Sequence, residues 1–256
     1  MRAPALGFLG VGWIGRLRLE SLVRAGAGEI KALADPSPEE LGKAAKLVPE
    51  AKTADSLEAL LEMDLDGIVI ATPSALHAEQ SVQALEAGRA VFCQKPLART
   101  AAEAQGVVEA ARRNDKRLAV DFSYRRVNGI PQIRQAIRAG ELGRILALEL
   151  TFHNAYGPDK PWFYDITQAG GGCLMDLGSH LVDLGLWLTD FPPVREIRSH
   201  LYARGEPLTK PVNQAEDFAL AELELEGGTV VRLACSWHLA AGREAVIQMG
   251  IHGSQG

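Results

Sequence analysis

An acid and imidazole pattern follows three consecutive glycines in the stretch "GGGCLMDLGSHLVD", residues 170–183. The leucine spacing predicts a helix over Leu174–Leu188. On an α-helix, His180 lies about 40° from Asp176 in projection, and Asp183 lies about 20° to its other side. Burial of such groups without partners is costly, so their shared face favours a cleft in which they do acid–base chemistry.

Two other interpretations of these side chains remain open. A charged helix face turned towards solvent is the ordinary explanation of such spacing. A metal site is the other, with Asp176, His180 and Asp183 as ligands and Cys173 as a further one, although the sequence shows no additional ligand cluster. We expect no metal, and we expect the glycines to let the backbone pass close to a ligand.

A glycine-rich turn near the N-terminus predicts a dinucleotide site. Gly10, Gly12 and Gly15 have G-x-G-x-x-G spacing after an apolar run. In this pattern the first glycine permits a tight turn, the second admits a pyrophosphate, and the third lets helix and strand pack closely. Because the helical pattern begins at Trp13, the helix N-terminus, including Ile14, is expected to face the phosphates.

An acidic residue ends the next apolar run at the position expected of a ribose-binding carboxylate. Asp35 follows Gly15 by 20 residues. A carboxylate there accepts hydrogen bonds from ribose hydroxyls and repels a 2′-phosphate, so NAD is favoured over NADP. The alternative is that Asp35 caps a helix starting at Pro36.

Apolar runs and helical patterns alternate up to about residue 121, which predicts a doubly wound parallel sheet, a Rossmann domain over residues 1–123. After residue 140 the runs are longer and partly alternating, and "EGG" at 226–228 signals a hairpin. Residues 124–256 are therefore predicted to form an α+β domain with a large, mostly antiparallel sheet. The runs are "ALGFLG", "EIKALAD", "GIVIAT", "AVFCQ" and "RLAVDF", then "RILALELTFH", "VREIRSHLYAR", "DFALAELELE", "TVVRLACSWHL" and "AVIQMGIHG".

The amino-acid composition and net charge argue against several classes of function. The chain has 256 residues, 47% of them apolar, and a formal net charge of −5, with no apolar run long enough for a membrane span. Neither a membrane nor nucleic acid is an expected partner. No secretory signal is evident, so we expect a cytoplasmic protein. The three widely spaced cysteines fit buried, reduced thiols.

The stretch "ATPSALHAEQSVQALEAGRAVFCQKPLA", residues 71–98, resembles the Gfo/Idh/MocA family of NAD(P)-dependent sugar and polyol dehydrogenases. Members carry an [N/S/T]-P turn after one strand and an E-K-P motif after the next. The resemblance continues through "DFSYRR", "ELGRI", "GGGCLMDLGSHLVDL" and "EDFALAEL", and so covers nearly the whole chain.

The resemblance implies roles for particular residues. Thr72 and Pro73 would line the dinucleotide cleft, and His77 would start the next helix near the cofactor or, alternatively, serve the backbone. Lys95 would be the active-site lysine, and Pro96 would set the turn that aims it. The catalytic trio would be Lys95, Asp176 and His180, with Asp183 more structural. Substrate contacts would come from this trio and from Tyr124, Arg125, Asn154 and Trp162.

The chain departs from the family pattern at Gln94, where E-K-P has its glutamate. A glutamine keeps the reach but removes a negative charge beside the nicotinamide ribose and Lys95. Whether this helps the lysine act as a base or alters the reaction stays open.

The implied reaction is hydride transfer between a secondary alcohol of a sugar or cyclic polyol and nicotinamide. Two alternatives are a non-catalytic dinucleotide sensor and a redox-neutral, NAD-dependent sugar lyase or glycosidase. The resemblance also implies a homodimer or homotetramer formed through the C-terminal sheet, and most relatives continue with C-terminal strands that we expect this chain to lack.

Overall fold

The computed structural model describes residues 2–256. They divide into two compact units, residues 2–121 and 122–256. The division proposed from the sequence, after residue 123, lies two residues further along the chain.

The first unit is a six-stranded parallel sheet of order β3-β2-β1-β4-β5-β6 with helices in the connections. The order reverses next to β1, which is the topological switch point of a doubly wound fold. The predicted Rossmann architecture is confirmed. Its strands are β1 (Ala5–Leu9), β2 (Glu29–Ala34), β3 (Lys52–Ala54), β4 (Gly67–Ile70), β5 (Ala90–Cys93) and β6 (Leu118–Val120). Its helices are α1 (Trp13–Ala25), α2 (Pro38–Ala45), α3 (Leu57–Leu61), α4 (Ser74–Glu86) and α5 (Ala101–Arg113).

Burial on both faces of this sheet explains its continuous apolar strands. Every residue of β4, "GIVI", is buried, as expected for a parallel strand covered by helices on both sides. On one side Phe8 and Leu33 pack with Leu19 of α1. The sequence did not reveal β3, because its three residues are polar or only partly buried.

The second unit contains a six-stranded sheet of order β12-β7-β11-β10-β8-β9. All neighbouring strands are antiparallel except β7 and β11, which pair in parallel, so the mostly antiparallel sheet is confirmed. The strands are β7 (Ile145–Asn154), β8 (Val194–Ala203), β9 (Glu206–Pro207), β10 (Phe218–Leu225), β11 (Val230–Ser236) and β12 (Ala245–Gly253). The helices are α6 (Ile130–Arg138), α7 (Ile166–Ala169) and α8 (Ser179–Leu188).

One face of this sheet carries the core of the unit. Leu148, Leu150 and Leu233 from the strands pack against Leu181 and Leu188 of α8. The predicted hairpin turn joins β10 to β11, with Gly227 and Gly228 at positive φ. Within residues 2–256, no helix combines the length and apolarity that crossing a membrane requires.

Candidate active site

The glycine turn between β1 and α1 is tightly packed at two of its glycines and open at the third, Gly12. Gly10 has a φ of +86°, and a Cβ there would lie 2.6 Å from the backbone carbon of Ala71. A Cβ on Gly15 would overlap the carbonyl oxygen of Gly10. A Cβ on Gly12 would instead meet nothing within 4 Å, and this residue caps the N-terminus of α1 without a side-chain hydrogen bond. An open approach to a helix N-terminus fits a pyrophosphate.

Asp35 joins the end of β2 to this glycine turn. One carboxylate oxygen accepts the N–H of Val11 and the other accepts the N–H of Ser37, each at 2.8 Å. Helix α2 begins at Pro38 with Ser37 as its N-cap, so the alternative that Asp35 caps a helix from Pro36 is wrong. Each carboxylate oxygen retains a lone pair, which suits a ribose hydroxyl.

The turns after β4 and β5 are connected through one buried side chain, His77. This residue lies one turn into α4, and only 1% of its surface is exposed. Its Nε2 lies 2.7 Å from the carbonyl oxygen of Thr72, and its Nδ1 lies 2.7 Å from that of Pro96. Burial is the main cause that lowers the pKa of His77, and the nearby positive charge of Lys95 acts in the same direction. These contacts fit the alternative that His77 serves the backbone, and its position near a cofactor stays a prediction.

The Gln94-Lys95-Pro96 turn directly follows β5. The side chain of Lys95 is half-buried, and its peptide bond to Pro96 is cis. Nε2 of Gln94 donates to Oδ2 of Asp121 over 2.5 Å, and Nε of Arg18 forms an ion pair with the same oxygen. Sequence reasoning missed both charged partners. The available signal was the acidic residue that ends the run "RLAVD".

In the second unit, Glu216 sets the geometry of the glycine run. Its carboxylate accepts the N–H groups of Gly172, at 3.0 Å, and Leu174, at 2.8 Å, and its carbonyl oxygen accepts that of Cys173 at 2.8 Å. A Cβ on Gly172 would overlap the backbone of Glu216. A neighbouring chain segment thus requires the glycine at position 172, and the expectation that the run lets the backbone pass close to a ligand stays a prediction. Glu216 was not singled out, although it begins the quoted motif "EDFALAEL".

The predicted continuous α-helix over 174–188 is also corrected. Residues Leu174–Gly178 form a π-helical turn, and α8 follows from Ser179. A Cβ on Gly178 would lie 3.2 Å from the Sγ of Cys235, so this turn packs directly on β11. Because a π turn winds more widely than an α turn, the uniform α-helical angles assumed for the three polar side chains do not apply.

Those three side chains have different surroundings. Asp176 accepts a hydrogen bond from Nε1 of Trp237 at 3.1 Å. His180 is buried, with its ring centroid 4.6 Å from that of Tyr124. Burial, and next the negative charge of Asp176, raise the pKa of Tyr124. The acid, the imidazole and the phenol thus form one local group in this unit.

Asp183 belongs to a separate ion pair. Nε of Arg125 lies 2.7 Å from one of its oxygens, and Nη2 of the same guanidinium contacts the other. Burial raises the pKa of Asp183, and Arg125 opposes that change. Arg125 was predicted to contact substrate, and in the structure it has Asp183 as an internal partner. The ion pair supports the structural role of Asp183.

The two remaining residues predicted to contact substrate, Asn154 and Trp162, differ in their surroundings. Asn154, at the end of β7, is buried, and its Oδ1 accepts no hydrogen bond from residues 2–256. Trp162 stacks on Phe163 with ring centroids 3.8 Å apart, as in ordinary packing. Asn154 therefore has unused capacity for a polar ligand.

Residues 2–256 contain no cluster of three or more His, Cys, Asp or Glu side chains that could hold a metal ion, and their cysteines form no disulfide. The thiols of Cys93, Cys173 and Cys235 are free and buried, as expected. Burial raises the pKa of Cys93 to about 12, which favours the thiol over the reactive thiolate.

Both halves of the chain match models of known protein families. Residues 5–122 match the model of an oxidoreductase family with an NAD-binding Rossmann fold, and residues 130–256 match the GFO/IDH/MocA C-terminal domain. The expected cofactor, NAD, is the one named by the family model for this Rossmann domain.

Individual relatives act on carbohydrates. Levoglucosan dehydrogenase of Pseudarthrobacter phenanthrenivorans is 29% identical over 88% of this chain and 63% of its own length. The 1,5-anhydro-D-fructose reductase of Ensifer adhaerens is 30% identical over 88% of this chain and 67% of its own length. This chain thus spans less than two thirds of the first of these relatives.

Among solved structures, a levoglucosan dehydrogenase in complex with NADH and levoglucosan superposes with a TM-score of 0.87 at 26% identity. The superposition covers 99% of this chain and 72% of that one. Together with the open phosphate approach at Gly12, these matches show that the chain belongs to the Gfo/Idh/MocA family of oxidoreductases.

Proposed function

We propose that this protein is an NAD-dependent dehydrogenase that transfers hydride between a secondary alcohol of a sugar or cyclic polyol and nicotinamide. The observation that carries the proposal is the glycine turn, whose open side at Gly12 adjoins the N-terminus of α1, with Asp35 anchored beside it. This arrangement suits a dinucleotide with an unmodified ribose. Family membership and carbohydrate-acting relatives support the substrate class.

The second unit supplies suitable acid–base groups. We assign His180 as the base that takes the alcohol proton, since imidazole is the side chain suited to this near neutral pH. Asp176 would position the substrate hydroxyl or orient the imidazole, and the indole N–H of Trp237 holds its carboxylate. These roles agree with the chemistry of the pair.

Lys95 is assigned to the reacting oxygen. Its ammonium would donate a hydrogen bond to that oxygen and stabilise the negative charge that develops when the proton leaves. A bound nicotinamide would accept the hydride from the carbon. The connection between His77 and the Lys95-Pro96 turn supports the assignment, because it limits the freedom of the backbone that carries the ammonium.

The test is a panel of inositols, aldoses and anhydro-sugars assayed for NADH absorbance with NAD and with NADP. Lys95→Ala and His180→Ala are expected to lower kcat/KM about 100-fold or more, as loss of a charge-stabilising or general acid–base group does. Equal activity of both variants and wild type would remove the catalytic assignment. Ketone reduction with NADH uses the same groups and belongs in the same panel.

Two outcomes would favour the alternative functions. Sugar cleavage without net NADH formation would favour the redox-neutral enzyme, for which the amide of Gln94 is the motivating feature. Dinucleotide binding without turnover on any panel member would favour the sensor.

We also propose that the face of the second sheet opposite α8 joins subunits in a homodimer or homotetramer. Leu220 is 41% exposed on this face of β10, and its cross-strand neighbour is the small residue Ala234. An exposed apolar side chain on a flat sheet is suited to burial against a second copy. Light scattering of wild type and Leu220→Lys tests this, and an unchanged mass would contradict it.

A further inference from the structure

Position 94 adjoins a buried carboxylate that the family motif does not include. Gln94 directly follows β5 and Asp121 directly follows β6, in neighbouring strands whose last residues, Cys93 and Val120, are paired. Only 5% of Gln94 and 8% of Asp121 are exposed. The amide N–H of Gln94 and the guanidinium of Arg18 both reach Oδ2 of this carboxylate.

The charges of this cluster restrict which residue can occupy position 94. Arg18 and Asp121 contribute one positive and one negative charge, so the cluster is neutral with an amide at Gln94. An ionised carboxyl has no N–H to donate and would place a second buried negative charge within hydrogen-bond distance of the first. Uncompensated buried charge is strongly destabilising. Asp121 therefore requires a neutral donor at position 94.

The same contact orients the amide. A glutamine can turn either its NH₂ group or its carbonyl oxygen towards a neighbour, and an acceptor selects the NH₂ group. Because Nε2 of Gln94 faces Asp121, Oε1 lies on the other side of the amide as a neutral acceptor. Gln94 stands at the carboxyl end of β5, where doubly wound sheets bind ligands.

The location also indicates which half of a dinucleotide is nearby. The sheet consists of two mononucleotide-binding halves, and Asp35 after β2 is placed for the ribose that distinguishes NAD from NADP. Strands β4 to β6 then serve the nicotinamide half. This step rests on the proposed function, whereas the charge argument does not.

We propose that Asp121 is a positioning residue that, together with Arg18, fixes Gln94 as a neutral, oriented hydrogen-bond acceptor at the nicotinamide half of the dinucleotide site. In an E-K-P turn, the glutamate carries a negative charge at position 94. In this chain, position 94 is neutral, and the negative charge lies on Asp121 at the end of the neighbouring strand β6. The nicotinamide ring is positively charged in NAD and neutral in NADH. The position of this charge therefore affects the relative affinity for the two forms.

The first experiment measures thermal unfolding without cofactor for Gln94→Glu, Asp121→Asn and the double variant. Gln94→Glu is expected to lower the midpoint by about 5 °C or more at pH 8 and by less at pH 5, where the introduced carboxyl can hold a proton. Adding Asp121→Asn should restore most of the loss at pH 8. The matched control is Gln105→Glu, because Gln105 also donates to a carboxylate, Glu109 at 2.7 Å, but on the exposed face of α5.

These midpoints of thermal unfolding test whether position 94 requires a neutral donor. If Gln94→Glu behaves like Gln105→Glu at both pH values, or if the double variant is no more stable than Gln94→Glu, the requirement for an amide is refuted. Neither result depends on activity or on dinucleotide binding.

The second experiment measures Kd for NAD and NADH by fluorescence titration. In the double variant, the ratio of the Kd for NADH to the Kd for NAD should rise by a factor of about 3 or more, because the charge then stands at position 94. Asp121→Asn should weaken binding of both forms and lower this ratio, because it removes the negative charge altogether. An unchanged ratio in the double variant would overturn the positioning role. Failure of wild type to bind either form would refute the proposed function and, with it, this positioning role, whereas the midpoints would still decide the charge restriction.

Discussion

Nδ1 of His77 lies 2.7 Å from the carbonyl oxygen of Pro96. The other ring nitrogen lies equally close to the carbonyl oxygen of Thr72. Two carbonyls are two acceptors, so a neutral imidazole donates to one of them and a protonated imidazole to both. This buried ring connects the two turns that follow β4 and β5, and those turns carry Thr72 and Lys95.

Replacing His77 should therefore weaken both folding and catalysis. His77→Ala leaves buried carbonyls without a donor and opens a cavity, and we expect the free energy of unfolding to fall by about 2–4 kcal/mol. His77→Gln retains a donor and should lose less. Urea unfolding measures the stability, and NADH formation measures the activity. His252→Ala, at an exposed position of β12, is the control and should change stability by less than about 0.5 kcal/mol.

Acidification should reduce stability through the same ring. Burial lowers the pKa of His77, and burial also lowers that of His153. The unfolded chain then binds a proton at a higher pH than the folded chain, so the free energy of unfolding falls as pH drops through the ordinary histidine range near 6.5. Urea unfolding at pH 7.5 and 5.5 measures this fall, which His77→Gln should reduce. A fall of the same size in His77→Gln would contradict the assignment.

The glycine run should tolerate no side chain at Gly172. Gly172→Ala places a Cβ against the backbone of Glu216, and we expect a loss of at least about 2 kcal/mol in the free energy of unfolding. Gly106→Ala is the control, because a Cβ there meets nothing within 4 Å inside α5, and alanine should add about 0.5–1 kcal/mol. Equal stability of the two variants would show that the close approach at Gly172 is absent.

Arg125 and Asp183 should behave as one structural unit. Asp183→Asn and Arg125→Lys each remove part of a two-point contact, and each should lower the free energy of unfolding by about 1–3 kcal/mol, with non-additive losses in the double variant. Chemical denaturation of the three variants measures the coupling. Should Arg125→Lys raise KM for substrate well beyond Asp183→Asn at equal stability, the predicted substrate contact of Arg125 would regain support.

Asp35 should govern cofactor preference. Asp35→Asn removes the charge that repels a 2′-phosphate and keeps one oxygen acceptor, which serves either the N–H of Val11 or that of Ser37 but not both, so the affinity for NADP relative to NAD should rise about tenfold. Titration of both cofactors measures this ratio. Asp55→Asn removes the same charge from an exposed position and should leave the ratio unchanged.

Local patterns in the sequence were sufficient for the architecture. The buried apolar runs, the glycines at 10, 12 and 15, and the hairpin signal at 226–228 each depend on residues close together in the chain. The sequence did not predict the short strands β3 and β9, because two or three residues carry too little periodicity to distinguish a strand from a loop.

The residues that hold the candidate site were decided by the tertiary structure. Asp121 lies 27 positions from Gln94 and Glu216 lies 44 positions from Gly172, so neither contact leaves a trace in local spacing. Leucine spacing predicted an α-helix over Leu174–Gly178, but the structure has a π turn there. At this turn Gly178 packs on β11, and Glu216 binds the backbone that precedes it, so residues distant in the sequence contact it. The physical reason is that hydrophobic periodicity reports which face of an element is buried, whereas the partner of a buried polar group is known only once distant strands and turns have been brought together.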